Sequence, residues 1–287
     1  MNLAIRGIAH NLGDRPESTF AEDLHVGKKV DFIMANPPFN LRLNAQGVTQ
    51  DTLKNKPQFK GYTIPPVSNA NYAWILHMVS KLDVTNGIAG FLLANGALNA
   101  DGDEGKIRKE LVEKDKVEAI IVLPREMFYG PDISVTLWII NNNKKARSLN
   151  ERKLRNRQGE VLFIDLRRWN ENIYEKKYVQ FSDKQIAAVK KIYTDWQTGS
   201  DYKDVPELCK SATKAEIAAQ RYSLAPSKYI EFIDHDLEID YATEMTRIQG
   251  EMREVLKAEK ESQAMLGNIL SRGEMEFFIK THKKATT

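Results

Sequence analysis

The sequence predicts an α/β fold, a doubly wound and largely parallel sheet followed by a helical region. Three observations carry this. Short apolar runs at 30–35, 88–95 and 117–123 alternate with amphipathic stretches at 71–82 and 105–115, the strand and helix order of parallel crossovers. The first run stops at Asn36-Pro37-Pro38-Phe39, a rigid corner at the carboxyl end of a strand, where open α/β sheets keep their ligands. Beyond Phe181 the pattern turns helical and closes on a strongly charged segment from 241 to 270.

Each element follows from local chemistry. Residues 1–9, with Leu3, Ala4, Ile5 and Ile8, read as the last turns of a helix, and a polar stretch leads to 18–24. The run Val30-Asp31-Phe32-Ile33-Met34-Ala35 suits a central strand. Pro37 and Pro38 must end it, since neither has an N–H to give to a neighbouring strand, and the residue before each proline is held extended. Residues 40–70 contain Gly47, Pro57, Gly61, Pro65 and Pro66 without periodicity, so a long loop is expected, a length usually reserved for function.

Tyr72, Trp74, Ile75, Met78, Val79 and Leu82 then mark one face of a helix, with His77 beside it as a packed or surface side chain. Asn86-Gly87 breaks the chain before the strand at 88–95. Ile107, Leu111 and Val112 give the next helix; 117–123 is a strand and 124–131 a turn. Strands at 135–140 and 161–165 have no helix between them, which predicts antiparallel pairing among the final strands. Helices are expected at 183–196 and 213–220. From 241 to 270, Tyr241, Met245, Ile248, Met252, Val255, Leu266 and Leu270 form a narrow stripe suited to a partner helix. The organisation is therefore a sheet domain over 1–170, a helical extension over 171–235 and a carboxyl-terminal helix over 236–287.

Composition bounds the function. In 287 residues, 42% hydrophobic and 28% charged, the chain is an ordinary globular polypeptide. No apolar run is long enough to cross a membrane, the amino terminus lacks a secretory core, and Cys209 is the single cysteine; a cytoplasmic location is expected. The five histidines have no metal-ligand spacing, so no metal is expected. No two glycines are separated by a single residue, which excludes a Gly-x-Gly nucleotide turn. The net charge of +3 is small, but Lys144, Lys145, Arg147, Arg152, Lys153, Arg155 and Arg157 crowd one insertion against Glu151 alone. Such a cluster could follow a nucleic-acid backbone or be a solvated loop.

The corner suits one chemistry. An aromatic exocyclic amine is a poor nucleophile because its lone pair is delocalised into the ring. Two fixed acceptors on its N–H groups, the Asn36 side-chain oxygen and the Pro37 carbonyl, would localise that pair. Phe39 would stack on a base extruded from its duplex. The competing reading is a strand that simply ends in a Pro-Pro turn.

Five segments in order, 2–8, 32–40, 69–75, 106–109 and 162–165, together resemble the modification subunit of type I restriction-modification systems. The resemblance implies a DNA adenine-N6 methyltransferase that uses S-adenosylmethionine, with Asn36, Pro37, Pro38 and Phe39 as its catalytic motif. It implies that the fold is the carboxyl-terminal half of a Rossmann-like methyltransferase sheet followed by a helical region. The segment from Leu123-Pro124 to Phe128-Tyr129-Gly130 resembles the later target-base motif, which implies a part for Phe128 in holding adenine; the competing reading is a turn with its aromatics packed on the sheet. Family members carry an acid-Thr-Phe/Leu stretch at the cofactor adenine; here Ser18 precedes Thr19-Phe20, with Asp23 or Glu17 as substitutes.

The family's glycine-rich cofactor loop would precede Met1. The resemblance therefore implies a truncated enzyme that is inactive alone, and a first strand whose free edge has apolar residues on both faces and would aggregate or pair with another chain. Its implied partners are DNA, a specificity subunit, a second modification subunit and a restriction subunit. The alternative is a non-catalytic module that contacts the specificity subunit and DNA. Cytosine-C5 chemistry needs a thiol nucleophile, for which Cys209 has no context.

Overall fold

The computed structural model describes residues 2–128, 133–149, 151–170, 173–174, 178–233 and 240–271. In chain order its elements are α1 (Asn2–Ile5), β1 (Phe32–Ala35), α2 (Gln50–Lys54), α3 (Asn71–Lys81), β2 (Ile88–Ala94), α4 (Gly102–Glu113), β3 (Val117–Val122) and β4 (Val135–Asn141). The short hairpin β5 (Arg147–Leu149) and β6 (Arg152–Leu154) follows, then β7 (Glu160–Asp165), the small pair β8 (Ile173–Tyr174) and β9 (Tyr178–Val179), α5 (Asp183–Thr198), β10 (Cys209–Thr213), α6 (Lys214–Ala219) and α7 (Tyr241–Ser271).

Six strands form one sheet in the order β1-β2-β4-β3-β7-β10. β1 and β2 are parallel, with Ala35 opposite Phe91, and β3 and β7 are parallel, with Val122 opposite Asp165. The predicted crossovers are present, but β2 and β3 are not neighbours. β4 enters between them, antiparallel to both, with Ile88 opposite Asn141 and Ile120 opposite Trp138. The expected antiparallel pairing thus occurs, although β4 and β7 do not pair with each other.

The sheet buries both faces where helices cover it. Alternation along β3 sends Val117, Ile120 and Val122 into one core with α3 and α4, and Ala119 and Ile121 into a second core with Trp196 of α5. The residues of the second core that belong to the sheet come from β3, β4, β7 and β10. β1 lies at the edge with Ile33 and Ala35 against the first core, while Phe32 is 70% and Met34 95% exposed. Among the described residues the expected free edge is present at β1, with apolar residues on both faces, and the face carrying Ile33 and Ala35 is covered by the first core.

Two further expectations change. The 40–70 segment is not a free loop, since Leu43, Val48, Leu53 and Phe59 are buried in the first core and α2 lies within it. The 171–235 segment is not a separate helical extension. Met1–Phe232 is one compact unit and Ile233–Thr287 a second, because β10 pairs antiparallel with β7, Cys209 opposite Ile164. Thr213 ends that strand and caps α6 in a reciprocal arrangement with Glu216; Ser182 and Gln185 do the same for α5.

In the second unit, α7 carries Tyr241, Met245, Ile248, Met252 and Val255 exposed at alternating four and three spacing. Among the described residues no helix is long and apolar enough to cross a membrane.

Candidate active site

β1, β2, β3 and β7 all point the same way, so their carboxyl ends share one edge. Asn36 to Phe39 follow β1 there, Asn95 follows β2, and 123–128 follows β3. The proline pair ends β1 as expected. Asn36 and Pro38 are exposed, Pro37 and Phe39 half-buried. Among the described residues the Asn36 side chain has no hydrogen-bond partner, so its amide oxygen is free to accept.

Phe39 and Phe128 meet. Their ring centroids are 6.4 Å apart at an interplanar angle of 75°, an edge-to-face contact. The sequence had singled out both rings for one base, from segments 89 positions apart (128 less 39), and β1 and β3 bring them together. Tyr129 and Gly130 of that motif lie outside the described residues.

Sequence reasoning missed two neighbours of the corner. Asn40 is a non-glycine residue at φ 53°, and it is hydrogen-bonded to Asn71 at the start of α3. Asn95 accepts a hydrogen bond from the Thr136 hydroxyl at 2.5 Å. An asparagine directly after the corner was the available signal, because asparagine tolerates the left-handed conformation that such a bend requires.

The residues expected at the cofactor fit it poorly. Asp23 is committed: its carboxylate binds Lys81 at 2.5 Å and accepts the His25 N–H at 3.0 Å. Burial opposes its ionisation, but these partners outweigh burial and hold its pKa below the ordinary value. Ser18 lies in a turn in which its carbonyl accepts from Ala21 and Glu22. Asp23, Thr19, His77 and Lys81 line an open cleft of about 430 Å³ beside Ile33 of β1. Of the residues read as contacts to the cofactor adenine, Asp23 is already paired, and Glu17 accepts the Ser18 N–H at 2.9 Å.

The basic insertion is at the wrong end. β4 is antiparallel to β2 and leaves the sheet where β2 begins, with the Asn142 N–H donating to Gly87 O. The hairpin therefore stands a strand's length, roughly 20 Å, from the corner. Most of its charge is also internal. Arg157 pairs with Glu118 at 3.2 Å with both side chains 0% exposed. Lys144 is 3% exposed and binds Asp115 and the carbonyls of Val117 and Glu160. Arg155 forks onto Glu160 at 2.8 and 2.6 Å and lies over the Trp196 ring; Arg147 donates to Asn143 O. Lys145, Arg152 and Lys153 are exposed. Of the seven side chains read either as a nucleic-acid contact or as a solvated loop, Lys144, Arg155 and Arg157 instead hold the fold.

This sheet, with an antiparallel strand set between two parallel pairs and an Asn-Pro-Pro-Phe corner on its edge strand, defines the chain as half of a doubly wound, Rossmann-like methyltransferase fold. The match to the N-6 DNA Methylase family model runs over residues 1–237, and the chain belongs to that family. It is 35% identical over 268 residues to the type I restriction enzyme HindI methylase subunit of Haemophilus influenzae, covering 92% of this chain and 56% of that protein. It is 31% identical to the MjaIX methylase subunit of Methanocaldococcus jannaschii, covering 94% and 47% respectively. The crystal structure of a type I restriction-modification methyltransferase subunit from Streptococcus thermophilus superposes with a TM-score of 0.66 at 23% identity, covering 81% of this chain and 45% of that one. The chain thus spans about half the length of the curated relatives it matches.

Proposed function

We propose that this chain is the adenine-holding part of a DNA adenine-N6 methyltransferase, the modification subunit of a type I restriction-modification system. The observation that carries this reading is the corner itself: Asn36, with its amide free, and Phe39 stand at the carboxyl end of β1 with Phe128 brought against Phe39. The target adenine is extruded from the duplex and its face rests on Phe39. Its N6 hydrogens are donated to the Asn36 Oδ1 and the Pro37 carbonyl. The prolines hold the backbone that carries both acceptors, so the Pro37 carbonyl is directed before the base arrives and the free Asn36 amide turns onto the amine as it draws electron density onto the nitrogen. Pro37 and Pro38 hold the residues before them, Asn36 and Pro37, extended.

S-adenosylmethionine is the proposed methyl donor. With Asp23 paired to Lys81, that carboxylate is not free for it, and among the described residues the outer edge of β1 carries no neighbouring strand. Calorimetry of the isolated chain with S-adenosylmethionine is expected to give heats no different from dilution. Micromolar binding would show that the residues present do complete a donor site.

DNA approaches the carboxyl edge, and the specificity subunit, the second modification subunit and the restriction subunit complete the assembly, with the α7 stripe offered to a partner helix. Because the 142–159 insertion faces away from that edge, reversing the charge of Lys145, Arg152 and Lys153 together is expected to leave the salt slope of DNA binding by the assembled enzyme unchanged. Were the three side chains on phosphates, the slope would fall by nearly one for each phosphate released.

A further inference from the structure

The corner is fastened by side chains outside the catalytic motif. Asn40 follows Phe39 directly and takes φ 53°, a left-handed turn that swings the chain from the corner toward α3. Its backbone N–H donates to the Asn71 Oδ1 at 3.0 Å, and the Asn71 Nδ2 donates to the Asn40 Oδ1 at 2.9 Å. The two bonds are reciprocal, one from backbone and one from side chain, so they fix both the position and the rotation of residue 40. Asn69 adds a donor to the same Asn40 oxygen at 3.3 Å and accepts the Asn71 N–H at 3.0 Å. One residue on, the Ala70 N–H donates to Leu41 O at 2.9 Å.

Asn71 is 2% exposed and begins α3, whose Tyr72, Ala73, Ile75 and Leu76 are fully buried in the first core. It cannot move without the helix. A buried asparagine costs free energy unless its amide is satisfied, and here the groups that satisfy it belong to the turn beside Phe39. We propose that Asn71, acting through Asn40, is a positioning residue for the methyl transfer: it sets the Asn36-Pro37-Pro38-Phe39 corner at a fixed angle to the sheet. In this way the Phe39 ring and the Asn36 and Pro37 acceptors address one base together. This rests on the function proposed above and adds to it residues that touch neither base nor donor.

The test uses the assembled methylase and DNA carrying 2-aminopurine at the target position, whose fluorescence reports extrusion from the stack. Asn71→Leu keeps the shape of the side chain and removes both bonds. The expected result is a fall in kcat of about 100-fold, the scale of a small misplacement of reacting groups, with KM for the DNA little changed. The fluorescence of the extruded base is expected to shift because Phe39 no longer stacks squarely. Asn71→Asp keeps the acceptor for the Asn40 N–H and loses only the donor to the Asn40 oxygen, so it is expected to retain more of kcat than Asn71→Leu. Asn40→Gly, which keeps the left-handed turn and gives up only the side-chain half of the clasp, is expected to fall between the two.

Cooperative unfolding of Asn71→Leu checks that α3 is intact. If that variant unfolds, Asn40→Gly and Asn71→Asp carry the same comparison. Unchanged kcat in Asn40→Gly and in a folded Asn71→Leu, with wild-type methylation present, overturns the clasp and leaves the proposed function standing. Absence of N6-methyladenine in the wild-type assembly overturns both.

Discussion

Asn36→Ala in the assembled methylase is expected to lower N6-methylation of adenine by roughly 10²–10³-fold, the loss typical of removing one preorganised group from a transition state, while DNA binding is retained. The reasoning is local. The Asn36 amide has no other partner among the described residues, so its removal leaves no buried group unsatisfied and disturbs no packing. What disappears is one of the two acceptors proposed for the amine. Its effect should appear in kcat rather than in KM, because the hydrogen bond strengthens as charge develops on N6. Quantifying N6-methyladenine in a single-turnover reaction separates this from slow product release. Full activity in the variant would place the chemistry at another corner.

Arg157→Leu is expected to destabilise the Met1–Phe232 unit by about 3–5 kcal/mol, the usual consequence of leaving a buried charge without its partner. Glu118 is 0% exposed and its carboxylate accepts from Arg157, from Gln197 at 3.1 Å and from Asn141. These groups join β3, the end of β4, the insertion and the end of α5. With Arg157 gone, the buried Glu118 charge keeps the Asn141 and Gln197 donors and loses its paired guanidinium. A drop in the thermal midpoint of roughly 6–20 °C follows from the usual unfolding entropy of a unit this size. The paired replacement of Glu118→Leu with Arg157→Leu should recover much of the loss, since replacing both charges with apolar groups is often neutral. Equal melting of Arg157→Leu and wild type would mean that water reaches the pair.

These residues also show what the sequence made legible. The strand and corner at 32–39 were readable because two prolines and an apolar run leave the backbone few choices. Phe128 was reachable only through resemblance, since nothing in its own neighbourhood announces that β3 delivers it to Phe39. The basic insertion misled because a charge count carries no information about burial. Glu118, one carboxylate in the fully buried run Val117–Val122, was the overlooked clue: a charge in a central strand requires a partner, and the nearest surplus was the arginine-rich insertion.

β4 could not be placed from sequence. A strand reads the same whether it adds to the end of a sheet or enters between two others, and only the gap left by the β2 to β3 crossover decides. β10 escaped because Cys209-Lys210-Ser211-Ala212-Thr213 is short and largely polar, as an edge strand can be. The Asn40 and Asn71 pairing joins residues 31 positions apart, beyond the reach of any local pattern.

If the proposed function holds, the edge-to-face contact of Phe39 with Phe128 has a bearing on which bases would be accepted. A T-shaped pair presents no parallel slot, so an arriving base must first separate the rings and forgo an aromatic interaction of about 0.5–1.5 kcal/mol. Stacking on one ring returns about 1–3 kcal/mol per base. The margin is narrow, and it is widest for the two-ring face of a purine. A pyrimidine that wanders out of the duplex recovers less and leaves the rings closed over the corner. On the proposed function, discrimination by size would then precede any hydrogen bond to the base.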